Sequence, residues 1–186
     1  MELVPLDKLD LWRITDREIV CKHEYPFKVI FCDITMEGRE VRHWTQPLFE
    51  ATGRALFGLI TCNDNGVKKF LVKGNPEVGC FDKIELGPTV QLEASHKENK
   101  EDRISALFFE KMKTPENIKY NVLLSEEGGR FYHEQNDNVI IEIAKEEVGA
   151  LEKGYFWMDY GTLSLLTQFN NILNIQLRNL LSLLEI

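Results

Sequence analysis

Three polar clusters carry the residue types from which a site could be built, and each falls at a strand end or a turn. The first is His43-Trp44-Thr45-Gln46-Pro47. A Trp close to a Gln can stack on a flat ring and hydrogen-bond its edge; it can equally be a half-buried side chain closing a core. The second runs from Glu85 through Gly87-Pro88-Thr89-Val90-Gln91 to Glu93-Ala94-Ser95-His96. Gly-Pro halts a strand ladder. Gln91, Glu93 and Ser95 then alternate onto one face, which is either a polar site or the solvent side of a sheet. The third is Ser125-Glu126-Glu127-Gly128-Gly129-Arg130-Phe131-Tyr132-His133-Glu134-Gln135-Asn136. Gly128-Gly129 allows a tight turn or close approach to a ligand. On a strand, Arg130 and Tyr132 share one face, and Phe131 and His133 the other. Arg suits bidentate phosphate recognition and Tyr can donate a hydrogen bond or a proton. The competing account is a plain hairpin with an exposed Arg–Tyr row, and His133 taken singly reads as a structural histidine.

Strands must position these clusters. Phe27 to Cys32 reads as a strand, Met36-Glu37-Gly38-Arg39 as a turn and Glu40 to Trp44 as the return. Ala55 to Cys62 is a buried-type strand. Asn63-Asp64-Asn65-Gly66 is its turn, and Val67 to Val72 pairs back. A strand follows over Ile84 to Leu92, broken at Gly87-Pro88. Lys97 to Arg103 is a charge run and reads as a solvated loop and helix start. Ile104, Leu107, Phe108 and Met112 recur at helical spacing and end near Thr114-Pro115. Strands are predicted over Ile118–Leu124, Gly129–Glu134 and Asn138–Ile143, with turns at Glu127-Gly128-Gly129 and Gln135-Asn136-Asp137. Asp7 can cap a short opening element carrying Leu9, Leu11 and Trp12. Asp159 or Thr162 can cap a helix through Phe169, and Asn174 a last helix through Leu184. The expected class is α+β: a mostly antiparallel sheet with flanking helices.

The chain has 186 residues, with 22 Lys and Arg against 30 Asp and Glu, a net charge of −8. That is one ordinary domain, and its acidity disfavours nucleic acid as a partner. No apolar stretch spans a bilayer, and nothing at the start suggests export. Cys21, Cys32, Cys62 and Cys80 show no metal-ligand spacing and read as free, mostly buried thiols of a cytoplasmic protein. No metal is expected, nor is there a phosphate loop, dinucleotide fingerprint or nucleophile elbow.

The clusters, together with Pro5-Leu6-Asp7, Phe57-Gly58-Leu59, Glu77-Val78-Gly79, Leu86-Gly87-Pro88-Thr89-Val90-Gln91, Trp157-Met158 and Asn174 to Leu181, resemble the NDP-hexose 2,3-dehydratase family over nearly the whole chain. The resemblance implies a single dehydratase-like domain over 1–186 with a Nudix-like fold. The sequence lacks the Nudix catalytic helix, so nucleotide hydrolysis is not expected. The implied substrate is a dTDP-4-keto-6-deoxyhexose, from which the C2 hydroxyl is eliminated in deoxysugar biosynthesis, without cofactor or metal. The 4-keto group acidifies the C3 proton; a base removes it, donors at O4 hold the enolate, and an acid releases the C2 hydroxyl as water.

Carried over by position, Trp44 is the stacking residue with Gln46 beside it. Gln91, Glu93, Ala94, Ser95, His96 and Lys97 line the sugar-nucleotide pocket. Ser125, Glu126, Arg130 and Tyr132 form the other wall. Arg130 would grip pyrophosphate, Tyr132 would supply acid or enolate stabilisation, and Glu126 or His133 would be the base. Where the family has an Arg-Ser-Asn-Tyr-type stretch, this chain has Ala94-Ser95-His96-Lys97, which leaves a non-catalytic nucleotide-sugar-binding module as the alternative. Members usually carry two tandem copies of the module. The single copy therefore predicts a homodimer, with the stripe Leu177, Leu180, Leu181 and Leu184 either at its interface or buried in the monomer.

Overall fold

The computed structural model describes residues 3–94, 102–126 and 128–184. They form two compact units. The first comprises the described parts of 1–55, 93–96 and 125–136, and the second those of 56–92, 97–124 and 137–186.

The first unit is built on a four-stranded antiparallel meander: β1 (Trp12–Ile14), β2 (Glu18–Cys21), β3 (Phe27–Thr35) and β4 (His43–Ala51). Neither β1 nor β2 shows in the sequence pattern, and Trp12 lies in β1 rather than in a helix. The opening helical element is only a 3₁₀ turn, Leu6–Lys8. Trp12 packs edge-on against Tyr25, Tyr25 against Phe27, and Phe27 against Phe49 at 5.1 Å between centroids. This aromatic row is the unit's adhesive. Strand β4 starts at His43 rather than Glu40 and runs on to Ala51, so Trp44 lies near its start and Gln46 and Pro47 within it. Pro47 is tolerated because β4 is the edge of the meander.

The second unit is centred on β5 (Leu56–Asp64) and β6 (Val67–Pro76), an antiparallel hairpin. Its turn is the one the sequence predicts, with Asn65 at φ 54° and Gly66 at φ 83°. From Phe57 to Cys62 every residue of β5 is buried, as a strand covered on both faces must be. Strand β10 (Gln135–Glu142) lies parallel to β5, β9 (Ile118–Ser125) is the edge beyond it, and β11 (Tyr155–Asp159) closes the other edge on β6. Ile104, Phe108 and Phe109 of α1 (Arg103–Lys111) pack with Ile60, Leu71, Val139 and Ile141. The shorter helices are α2 (Lys145–Val148), α3 (Tyr160–Leu166) and α4 (Ile175–Ser182). Leu163, Leu177 and Leu180 are fully buried, so the α4 stripe belongs at least in part to the monomer's core. Asp159 and Asn174 cap α3 and α4 as expected, with Asn174 Oδ1 accepting from the Leu177 N–H at 2.9 Å.

The α+β class stands, with mostly antiparallel pairing and the β5–β10 pair parallel. Two expectations fail between Gly129 and Asp137. The strand over Gly129–Glu134 is absent: Gly128 to Arg130 turn, Gly129 takes φ 93° and His133 takes φ 53°, so alternation of side chains is lost there. Gln135-Asn136-Asp137, expected as a turn, instead begins β10. The break at Gly87-Pro88 does occur. It separates β7 (Ile84–Gly87), paired with β6, from β8 (Val90–Leu92), paired with β5. All four cysteines are free, but only Cys62 is buried; the others are half-buried. Among the described residues no helix is long and apolar enough to cross a membrane.

Candidate functional site

In the first unit, β4 and the 128–133 loop are brought together. Trp44 and Gln46 are two apart on a strand and so share a face. Trp44 Nε1 donates to Gln46 Oε1 at 2.6 Å, and Gln46 Nε2 donates to the Gly129 carbonyl at 2.7 Å. The Phe49 N–H donates to the Arg130 carbonyl, and the Tyr132 N–H to the Phe49 carbonyl. These bonds hold the Arg130–Tyr132 backbone against β4 without a full strand. Tyr132 is exposed, and its ring stacks on His133 at 4.4 Å. Arg130 lies 5.7 Å from the Phe131 ring centroid.

Beneath this loop a cleft of about 450 Å³ is lined by Ser125, Glu126, Gly128, Phe131, His133, Glu134 and Gln135. Two of these side chains, Glu126 and Glu134, are tied together by Asn136, which is 2% exposed. The Asn136 amide accepts from the Ala55 N–H at 3.0 Å and donates to Glu126 Oε1 at 2.8 Å and Glu134 Oε1 at 3.5 Å. Burial pushes the Glu134 carboxyl above the usual carboxylate range. The Asn136 hydrogen bond opposes that shift, while the charges of Glu126 and Glu93 reinforce it. A carboxyl lifted in this way is a better proton acceptor than a solvated one.

In the second unit, Gln91 lies in a separate cavity of about 160 Å³, lined by Lys73, Asn75, Thr89, Val90, Gln91, Leu92, Asp102, Ser105 and Phe109. The strand break builds it. The Thr89 hydroxyl donates to the Leu71 carbonyl and accepts from the Ile60 N–H, filling the gap where β7 gives way to β8. A Cβ on residue 87 would fall 2.6 Å from Asn75 Nδ2 and 2.9 Å from Asn174 Nδ2, so any other residue there would have to displace those two amides. Gln91 Oε1 accepts from Asn174 Nδ2 at 3.0 Å.

Of the residues singled out in the sequence, Trp44, Gln46, Glu93, Ala94, Ser125, Glu126, Arg130, Tyr132 and His133 belong to the first unit, and Gln91 to the second. Ser95, His96 and Lys97 lie outside the described residues. Sequence reasoning passed over Glu134 and Asn136 as site residues because it read them as strand-end and turn. It also passed over Lys73 and Asp102, which no motif marks. Among the described residues, no group of His, Cys, Asp and Glu side chains is placed to hold a metal ion.

A family model for NDP-hexose 2,3-dehydratase matches residues 1–184. The chain is similar to a dTDP-4-dehydro-6-deoxy-alpha-D-glucopyranose 2,3-dehydratase of Saccharopolyspora spinosa, 34% identical over 98% of this chain and 38% of that protein. A protein of the same name from Streptomyces violaceoruber is 32% identical over 96% of this chain and 41% of its own length. The chain thus spans about two-fifths of the length of the curated relatives it matches. Among solved structures, a crystal structure of an ADP compounds hydrolase aligns with a TM-score of 0.46 at 11% identity, over 94% of this chain and 92% of that one. With the family match running through β4, the 128–133 loop and the Gly87–Gln91 break alike, this chain belongs to the NDP-hexose 2,3-dehydratase family.

Proposed function

We propose that the protein is a carbon–oxygen lyase that removes the C2 hydroxyl of a dTDP-4-keto-6-deoxyhexose, as a single module with the Nudix-like fold its family implies. The names of its relatives support the substrate class. One structural observation carries the chemistry: Glu134, Glu126 and His133 line one cleft, both carboxylates are bonded by buried Asn136, and burial raises the Glu134 carboxyl above the usual carboxylate range. The base takes the C3 proton, and the electron pair moves into an enolate at C3–C4 and O4. The C2–O bond then breaks, and the hydroxyl leaves as water with a proton from the acid. The enol so formed tautomerises to the 3,4-diketo sugar. Glu134 joins Glu126 and His133 as a candidate base, Tyr132 is the acid or enolate donor, and Arg130 faces the pyrophosphate.

Incubation with dTDP-4-keto-6-deoxyglucose is expected to give a product lighter by one water in mass spectrometry. Tyr132→Phe is expected to lower turnover about 10²–10⁴-fold. Unchanged turnover would remove Tyr132 from the mechanism. Binding without loss of water would favour the non-catalytic module. The free cysteines support a cytoplasmic setting. The homodimer is part of the same reading. Phe81, 89% exposed, and the exposed pair Ile84 and Phe156, both within reach of a Cβ at Gly74, support a paired face in the second unit.

A further inference from the structure

Asn136 is buried near the start of β10, and its amide is held in one orientation. The Ala55 N–H, 81 residues away in the chain, donates to Asn136 Oδ1 at 3.0 Å. Reversing the amide would set its NH₂ group against that N–H, donor against donor. Asn136 Nδ2 is thereby turned toward acidic side chains, Glu126 Oε1 at 2.8 Å and Glu134 Oε1 at 3.5 Å. The backbone ties the same two residues, with the Glu126 N–H donating to the Glu134 carbonyl at 3.0 Å. Ala55, Glu126, Glu134 and Asn136 all belong to the first unit.

An amide carries no charge, so it can hydrogen-bond two carboxylates but cannot neutralise either. Two carboxylates fixed to one donor group repel, and the second negative charge forms at a higher pH than the first. The two hydrogen bonds are unequal. Glu126 has the short one, and part-buried Glu134 has one at the outer limit of length. Negative charge is therefore better compensated on Glu126, and the proton of the pair goes to Glu134. The raised Glu134 carboxyl agrees: burial lifts it most, the Asn136 bond opposes, and the charges of Glu126 and Glu93 add to the lift. Among the described residues, the titratable groups that face Glu134 are Glu126 after β9, Glu93 after β8, and His133 in the same cleft.

We propose that Asn136 is a positioning residue that fixes Glu126 and Glu134 as one coupled pair, in which Glu134 takes the C3 proton and Glu126 stays the charged neighbour. This role rests on the dehydratase reading and deepens it, because it separates two carboxylates that are otherwise equal candidates for the base.

The test is the pH dependence of kcat/KM for loss of water from dTDP-4-keto-6-deoxyglucose in wild type, Glu126→Gln and Asn136→Asp. The rate rises with pH as the base ionises, so this acid limb reads the base of the free enzyme. Glu126→Gln keeps an oxygen for Asn136 but removes the neighbouring charge. Its limb is expected to move down by about one pH unit, and its plateau to fall by less than about tenfold, as a weaker base gives. Asn136→Asp keeps the acceptor for Ala55, removes the donor and adds a third carboxylate. Its limb is expected to move up by about one unit, whichever of the three holds the last proton. A side chain that only supported the fold would lower the rate at all pH values and leave the limb in place. Limbs that do not move, or that move in the same direction, overturn the proposal, as does a Glu126→Gln protein that loses elimination at every pH. Should Asn136→Asp fail to fold, Glu126→Gln decides. Carboxyl ¹³C signals, with that of Glu134 identified by its absence in Glu134→Gln, follow the same titrations without turnover. Shifts seen there in a protein that eliminates no water uphold the coupled pair and discard the dehydratase reading. Water loss with unmoved limbs does the reverse.

Discussion

Phe108→Ala is expected to lower the free energy of unfolding by about 3–5 kcal/mol, the usual cost of emptying a buried aromatic site. Phe108 is fully buried on α1, packs edge-on to Phe109 at 5.5 Å, and joins the cluster that includes Ile60, Leu71 and Ile141. Its ring rests on the backbone of β5 at Gly58. A Cβ on residue 58 would fall 2.7 Å from both Phe108 Cε1 and Cε2, so the buried ring or the central strand would have to shift. Gly58→Ala should therefore cost about 1–3 kcal/mol or more by overpacking. In a Phe108→Ala background the same change meets a cavity, and most of its cost should disappear. A double-mutant cycle by urea unfolding measures this as a coupling of at least about 1 kcal/mol. Additive effects would mean that the ring does not rest on Gly58.

The second large effect concerns Glu134. On the proposed reading, with Glu134 as the base, Glu134→Gln reduces elimination of water about 10²–10⁴-fold, because an amide cannot accept the proton; unchanged elimination would leave the role to Glu126 or His133. Stability should move the other way. The folded-state pKa of Glu134 is raised, so the folded protein holds that proton more tightly than the unfolded chain does. Its contribution to stability is therefore full below the unfolded pKa and is lost as pH rises through the folded pKa. Gln cannot ionise and keeps an oxygen that can accept from Asn136. The variant should match wild type in acid and have the higher melting temperature at neutral pH. Thermal unfolding from acid to neutral pH checks the sign; a variant less stable than wild type at neutral pH would show that the Glu134 carboxylate is not strained by its surroundings.

The parts of the fold legible in the sequence are those set by near neighbours in the chain. Asn65-Gly66 marks the β5–β6 turn because both residues take positive φ at low cost. The spacing of Ile104, Phe108 and Met112 marks α1, and Asn174 marks the start of α4. The 129–136 stretch departs from its local pattern for the opposite reason. Gln135-Asn136-Asp137 is turn-like by composition, yet Asn136 sits in a strand because its amide is satisfied by Ala55, 81 residues away, and by Glu126. Strands β1 and β2 are three and four residues long, too short for a two-residue period to declare itself.

The sequence by itself determined the family, the α+β class, the hairpin at the centre of the second unit and the polar segments around Trp44, Gln91 and Arg130. Tertiary structure decided which side chains of those segments have chemical character. Glu134 is raised by burial and by Glu126 and Glu93. Lys73 is locked by Asp102 and Asp102 by Tyr155, partners 29 and 53 residues apart. A turn or a cap is an energy of adjacent residues, so it is written locally. A pKa or a cavity is an energy of groups that only the closed fold makes neighbours.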